Sequence, residues 1–182
     1  SYLIDGRHDL HNFCASISVI SIIGLSLDNI LTSFDRRKRL EHRVEKFFAF
    51  NDIKFINDSK STNADSTSNA LKSLGNNIIL IMGGDNKKMS YKILNNLIND
   101  KVKILIMIGE NTDDIDKLID VNIEIVCFLD LEDAISYIFS VMMPGDTVLM
   151  SPATSSHYMY DNYQHRGNHF KELVKKYASQ QN

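Results

Sequence analysis

Short apolar runs of strand length recur through most of the chain and constrain its fold more than any other feature. They lie at 78–82, 102–108, 123–128 and 147–150. A pair of runs at 44–49 and 53–56, on either side of Asn51-Asp52, predicts a hairpin ahead of them. Helical patterns occur near 63–74, 90–99, 112–120, 130–142 and 166–177. Continuous apolar strands that alternate with helices predict an α/β fold, with a mainly parallel, Rossmann-like sheet covered by helices on both faces.

Composition excludes several classes of protein. The chain has 182 residues and a formal net charge of −3, whereas a nucleic-acid footprint needs a clustered excess of Lys and Arg. Cys14 and Cys127 lie far apart and have no partners at metal-ligand spacing, which argues against a disulfide scaffold and a zinc site. No apolar run reaches the ~18 residues of a membrane span, and no signal-peptide pattern is found. We therefore expect a soluble cytoplasmic protein without nucleic-acid or membrane partners.

The first part of the chain follows a different pattern. Residues 11–23 have a helical period that ends at Gly24, and a second short helix is predicted over 26–34. Both segments are apolar on nearly all sides, which implies burial, yet nothing obvious in the remaining chain is needed to cover them. We therefore predict that residues 1–38 are the helical end of a preceding domain with its linker. Residues 39–182 would form a complete α/β domain.

Unusually polar segments follow three of the predicted strands, at 57–63, 83–88 and 151–156. Ligands of open parallel sheets bind outside the carboxyl ends of the strands, so the three segments should converge there. Lys60 and Lys87 are compact cations that suit a phosphate or a carboxylate, and the hydroxyl and backbone N–H groups of these segments also favour anions. Together they predict a site for an anionic small molecule.

Each polar segment also has a purely structural interpretation. Residues 57–59 can form a turn, Ser61 or Asn63 can cap the next helix, and Gly83-Gly84 can be a tight turn. The run at 151–156 can be a flexible loop, although Pro152 argues against this. Taken singly, each segment leaves both interpretations open. The expected convergence of all three favours a shared binding site.

A series of short motifs occurs in order along nearly the whole chain and indicates a resemblance to a known family. They lie at 6–12, 41–45, 57–63, 83–87, 144–149, 151–153 and 162–170. In these motifs the chain resembles the C-terminal part of the Mur ligases. The string Asn-Asp-Ser-Lys-Ser-Thr-Asn at 57–63 is similar to that of the D-glutamate-adding members of the family.

The resemblance implies an ATP-dependent amide ligase of peptidoglycan synthesis, with ATP and Mg²⁺ bound mostly by a central domain. Such an enzyme activates UDP-N-acetylmuramoyl-L-alanine as an acyl phosphate, which the amine of D-glutamate then attacks. Full-length members are more than twice as long as this chain, and a Gly-Lys-Thr phosphate loop does not occur in it. We therefore expect a C-terminal fragment that is monomeric, inactive alone and without metal ligands of its own.

The resemblance also implies roles for individual residues. Those matching nucleotide-binding positions are Asn12, Arg43, Asp58 at the ribose hydroxyls and Lys60 near the phosphates. Lys60 also matches the cation beside the reacting acyl group, which makes it the expected catalytic residue. Those matching D-glutamate-binding positions are Thr62, Lys87, Ser156, His157 and Tyr163.

Two other functions stay open at this stage. One is another amide ligase of the superfamily, of the folyl-polyglutamate or cyanophycin type, although the string at 57–63 counts against it. The other is a non-catalytic nucleotide-binding module that reuses the fold. The sequence departs from the family pattern at Asp9, Thr154, Ser155, His157 and Tyr163, and the effect of Asp9, Thr154 and His157 is open.

Overall fold

The computed structural model describes residues 7–24, 26, 40–84, 90–109, 120–157 and 159–181. The chain divides into two units, Ser1–Leu40 and Glu41–Asn182. The assignment of residues 1–38 to a preceding domain, and of 39–182 to a C-terminal one, stays a prediction.

In the first unit, helix α1 (Arg7–Ile22) corresponds to the helix predicted over 11–23. Gly24 ends it as predicted, with φ at +78° and its N–H donating to the carbonyl of Ser21. Apolar side chains of this helix are exposed, and Ile22 keeps 85% of its accessible area. The second predicted helix, 26–34, lies outside the described residues apart from residue 26.

The second unit is built on a six-stranded sheet. Its strands are β1 (Glu45–Phe50), β2 (Ile53–Asn57), β3 (Ile78–Gly83), β4 (Val102–Ile108), β5 (Glu124–Phe128) and β6 (Thr147–Met150). Their spatial order is β1-β2-β6-β3-β4-β5, with β1 antiparallel to β2 and all other neighbours parallel. The predicted hairpin joins β1 to β2, and Asn51 and Asp52 adopt the positive φ angles of 47° and 61° that its tight turn requires. The mainly parallel sheet is confirmed.

Helices cover both faces of this sheet. They are α2 (Ala64–Ser73), α3 (Asn95–Lys101), α4 (Leu131–Val141) and α5 (Tyr163–Gln180). Alternate residues of β3 point to opposite faces, so Ile78 joins the apolar cluster with α2 and α3, and Ile79 joins the cluster with α4 and α5. The predicted two-sided core is therefore present.

The helix boundaries differ most from the prediction in α1, α3 and α5. Helix α1 begins at Arg7, four residues before the predicted residue 11. The segment predicted at 90–99 begins as a 3₁₀ turn at Lys92–Leu94 before α3. Helix α5 begins before the predicted residue 166, because the side chain of Asn162 accepts the N–H of His165 at 2.8 Å and caps it. The helix predicted over 112–120 lies outside the described residues apart from residue 120. Across the described part of the chain, no helix has both the length and the apolar character needed to cross a lipid bilayer.

Candidate functional site

The loops that follow β2, β3 and β6 are joined by hydrogen bonds at the carboxyl edge of the sheet. The N–H of Ala153 donates to the carbonyl of Ser61 at 3.0 Å, which joins the loops after β6 and β2. The hydroxyl of Thr154 donates to the carbonyl of Gly83 at 2.8 Å, and the N–H of Gly83 donates to Pro152 at 3.0 Å. The predicted convergence therefore holds for the described residues of these loops.

The loop after β2 contains both of the structural features that the sequence had left open. The side chain of Asn57 accepts the N–H of Ser59 at 3.1 Å, which makes a local turn. The side chain of Asn63 accepts the N–H of Ser66 at 2.8 Å and caps α2. A turn at one end and a cap at the other hold the loop between them, and these structural roles are compatible with a binding site.

Asp58 is buried in this loop, with 1% of its area exposed. Its Oδ1 accepts the N–H of Val44 at 3.1 Å, and its Oδ2 accepts the hydroxyl of Ser151 at 2.7 Å. Burial raises the pKa of this carboxyl, although the hydrogen bonds from Ser61, Ser151 and Val44 act in the opposite direction. In the described structure both carboxylate oxygens bond within the chain, so the predicted contact with a ribose stays a prediction.

Replacing Asp58 by Asn should change how stability depends on pH. The raised pKa means that the folded state binds a proton more tightly than the unfolded state, whose carboxyl titrates near 3.8. As the pH rises from there through the folded pKa, the wild-type free energy of unfolding should fall, by about 1.4 kcal/mol per pH unit between the two pKa values. Asp58→Asn should lack this fall in urea unfolding measured from pH 4 to 8.

The exposed turn residue Asp52 supplies the control for this comparison. Asp52→Asn should keep the wild-type pH dependence. Identical pH profiles for Asp58→Asn and the wild type would contradict the assignment of the burial effect to Asp58.

Lys60 and Tyr163 meet at the same edge. The Nζ atom of Lys60 lies 5.6 Å from the centre of the Tyr163 ring, a cation–π arrangement. The ring of His42 packs edge-on against Tyr163 at 5.9 Å, and the N–H of Lys60 donates to the carbonyl of His42 at 3.1 Å. Burial lowers the pKa of His42, which favours a neutral imidazole beside the lysine. The arrangement holds a half-buried ammonium group where an anion can reach it.

The other predicted site residues are more scattered. Thr62 and His157 are exposed in the loops after β2 and β6, and Arg43 is exposed just before β1. Asn12 is exposed on α1 in the first unit, and Lys87 lies outside the described residues. The structure therefore brings together part of the predicted set, with Lys60 and Tyr163 in direct contact.

A small concavity opens at this edge, beside the adjacent parallel strands β6 and β3. Apolar side chains of β3 and β6 form its floor, and Ser156, Tyr160 and Arg166 form its polar side. Ser156 has 5% of its area exposed, and no hydrogen bond joins its hydroxyl to another described residue. A buried hydroxyl that has no hydrogen-bond partner among the described residues favours a polar ligand group beside it.

Arg166 is the site residue that the sequence interpretation did not select. It lies in the motif 162–170, and the neighbouring residue Gly167 could have indicated that this part of the chain is closely packed. A Cβ at Gly167 would collide with the ring of His42 and lie 3.0 Å from the Asn57 side chain. A glycine within a helix usually reflects such a close approach, so the pair Arg166-Gly167 indicates a point where α5 meets the loops.

The donor set is better suited to phosphate and carboxylate than to a metal ion. Lys60 and Arg43 supply cations, and Ser156 supplies a hydroxyl. Among the residues that the structure describes, no three His, Cys, Asp or Glu side chains gather to hold a metal.

A family model described as Mur ligase, glutamate ligase domain, matches residues 38–154. The chain belongs to the Mur ligase family. The matched region includes β1 to β6, the loop that carries Lys60 and the loop after β6 as far as Thr154.

Curated Mur ligases are similar to the chain over nearly all of its length. One relative is a UDP-N-acetylmuramoylalanine--D-glutamate ligase from Koribacter versatilis, 34% identical over 179 residues, covering 98% of this chain and 39% of the relative. Another, of the same name, from Caldicellulosiruptor bescii, is 37% identical over 175 residues, covering 94% of this chain and 38% of the relative. The chain thus spans about two fifths of the length of these relatives.

A solved Mur ligase structure has the same fold. It is the MurF ligase of Thermotoga maritima in complex with ADP, with a TM-score of 0.69 and 14% sequence identity, covering 97% of this chain and 40% of that one. At this identity the similarity establishes the fold alone, a mostly parallel sheet with helices on both faces.

Proposed function

We infer that this chain supplies the D-glutamate-binding, C-terminal domain of an ATP-dependent ligase that adds D-glutamate to UDP-N-acetylmuramoyl-L-alanine in peptidoglycan synthesis. Relatives of that name, 34% and 37% identical, support the inference. The observation that carries it is the junction of two loops through Ser61 and Ala153, with Lys60 on one loop and Ser156 on the other. This junction offers a cation and a buried hydroxyl at one edge, as an acidic amino acid and a phosphoryl group require.

The proposed reaction has two steps. The γ-phosphoryl group of ATP passes to the alanyl carboxylate, giving an acyl phosphate and ADP. The D-glutamate amine then attacks the acyl carbon: a C–N bond forms, the C–O bond to phosphate breaks, phosphate leaves, and the nitrogen releases a proton. Neither step needs a covalent bond to this chain, so its contribution is to position the reactants and stabilise charge.

Each residue then has a defined task in the proposal. Lys60, held against Tyr163, offsets negative charge on the phosphoryl oxygens as the carbon–oxygen bond breaks. Ser156 donates its hydroxyl to a carboxylate of D-glutamate, and this charge-assisted bond satisfies a buried group. Thr62, Lys87, His157 and Tyr163 are proposed as the other D-glutamate positions.

The nucleotide side of the proposal rests on Asn12, Arg43, Asp58 and Lys60. Arg43 and Lys60 fit phosphate oxygens by charge. Asp58 orders its loop through Val44 and Ser151, and a contact with the ribose would add to that role. We place the Mg²⁺ ligands, the phosphate-binding loop and the UDP-binding groups in residues outside this chain, and we place the monomeric enzyme in the cytoplasm.

The proposal is tested in the gene product that carries this chain, by phosphate release in the presence of ATP and UDP-N-acetylmuramoyl-L-alanine. D-Glutamate should start the release, and L-glutamate should support a rate roughly 10- to 100-fold lower, because the wrong isomer loses a hydrogen bond to a charged carboxylate. Equal rates of phosphate release with D- and L-glutamate, or phosphate release without any glutamate, would contradict the proposed function.

A further inference from the structure

Arg166 is a buried cation that hydrogen-bonds to both loops of the site. Only 5% of its area is exposed. Towards the loop after β2, its Nε donates to the hydroxyl of Ser59 at 3.0 Å and its Nη2 to the carbonyl of Ser59 at 2.9 Å. Towards the loop after β6, Nη2 donates to the carbonyl of Thr154 at 3.2 Å and Nη1 to that of Ser155 at 3.3 Å. One guanidinium group therefore joins two loops that are far apart in sequence.

Three of the four acceptors are main-chain carbonyls, and this choice of acceptor matters. A side-chain acceptor can rotate, whereas a bonded carbonyl fixes the main chain that carries it. Ser59 directly precedes Lys60, and Ser155 directly precedes Ser156. The planar fork of Arg166 thus constrains the main chain beside both proposed functional residues.

Helix α5 is tied to the same junction. The hydroxyl of Ser59 accepts from Arg166 and donates to the carbonyl of Tyr163 at 2.8 Å, in the first turn of α5. The ring of Tyr163 in turn lies under the ammonium group of Lys60. The loops after β2 and β6 and the start of α5 therefore form one hydrogen-bonded unit around Arg166.

Keeping a charge at this position is costly. Burial lowers the pKa of Arg166 to about 10, so the group is still a cation at neutral pH. Within the described part of the chain, no carboxylate forms an ion pair with it at 4.0 Å or less. The four hydrogen bonds of Arg166 offset part of that cost, and all four go to the two loops of the site.

We propose that Arg166 is a positioning residue that fixes the separation between Lys60 and Ser156. This rests on the proposed function for the tasks of those two residues. Lys60 acts on the acyl phosphate and Ser156 on D-glutamate, so their separation decides whether the amine meets the acyl carbon. An error of about 1 Å in such an alignment can lower a rate roughly 100-fold.

Two variants separate positioning from folding. Arg166→Lys keeps the charge but replaces three nitrogen donors by one, so it cannot reach both loops with the same geometry. Ser59→Ala keeps Arg166 and removes only the hydroxyl between Arg166 and Tyr163. Lys176→Met is the control. Lys176 lies on α5 like Arg166, and the change removes only its exposed ion pair with Glu132 of α4.

The kinetic arm uses the gene product that carries this chain, at a temperature where circular dichroism shows each variant to be folded. Arg166→Lys should lower kcat/KM for D-glutamate roughly 100-fold, with a rise in KM as well as a fall in kcat, and Ser59→Ala should give a smaller loss of the same kind. Lys176→Met should match the wild type. Wild-type kinetic constants in folded Arg166→Lys would overturn the proposal.

Hydrogen exchange supplies an arm that does not depend on ligase activity. The N–H groups of Ser61 and Ala153, one in each loop, should exchange at least about tenfold faster in Arg166→Lys and stay protected in Lys176→Met. Faster exchange in one loop alone, or in neither, would overturn the positioning role. If the wild type does not ligate D-glutamate while both amides respond as expected, the proposed function fails and the structural link through Arg166 stands.

Discussion

Gly83→Ala should destabilise the second unit by roughly 2–6 kcal/mol, the combined cost of a strained backbone and an overpacked site. Gly83 has φ at +108° at the end of β3, a conformation that side chains with a Cβ rarely adopt. The new Cβ would collide with the carbonyl oxygen of Ile108 in the neighbouring strand β4 and lie 2.7 Å from its nitrogen. Both atoms are main chain, so relief requires movement of a central strand. Urea unfolding followed by circular dichroism measures the loss.

The same substitution should damage the site before the protein unfolds. The backbone of Gly83 bonds to Pro152 and accepts from Thr154, so its displacement loosens the loop after β6. Gly75→Ala is the matched control, because nothing lies within 4 Å of its Cβ position, and a change within about 0.5 kcal/mol is expected. A loss below about 1 kcal/mol for Gly83→Ala would show that β3 and β4 can separate more easily than the geometry indicates.

Lys60→Met should lower kcat for D-glutamate ligation roughly 100- to 1,000-fold, the usual effect of removing one group that stabilises charge in a transition state. Methionine is one atom shorter than lysine and keeps an unbranched apolar side chain without the charge. Stability should therefore change by only about 0.5–1 kcal/mol, the strength of an accessible cation–π pair. Phosphate release at saturating D-glutamate, with unfolding measured in parallel, separates the two effects.

Lys54→Met provides the comparison, because Lys54 is an exposed lysine on β2, the strand that precedes the loop of Lys60. Its kcat should equal that of the wild type. A Lys60→Met enzyme with kcat within about twofold of the wild type would contradict a catalytic role for Lys60, since no transition-state charge would then depend on it.

The sheet was predictable because its strands carry their own signal. Val102–Ile108 and Thr147–Met150 are apolar apart from Lys103 and Thr147, as expected of strands covered on both faces, and their observed bounds equal the predicted ones. The start of α5 was harder to predict from the sequence, because Asn162 acts as a cap only once the chain has turned towards the sheet. Several polar residues near this point could each have capped a helix, so the sequence alone did not identify Asn162 as the cap.

The edge of the site was predictable and its internal bonding was not. Parallel strands bring their carboxyl ends together, which follows from topology alone. The burial of Asp58 against Ser151 and Val44 depends instead on side chains from three separate segments. Arg166 was missed for the same reason: an arginine in a polar helix appears solvated until its carbonyl partners are known.

The loops after β2 and β6 should together recognise D-glutamate. The most direct test is isotope-edited NMR of the chain titrated with D-glutamate and, separately, with L-glutamate. The amides of Thr62, Ser156 and Tyr163 should shift with the D-isomer, and the same concentration of the L-isomer should shift them much less. Equal shifts with both isomers, or no shift of these three amides at saturating D-glutamate, would contradict this expectation.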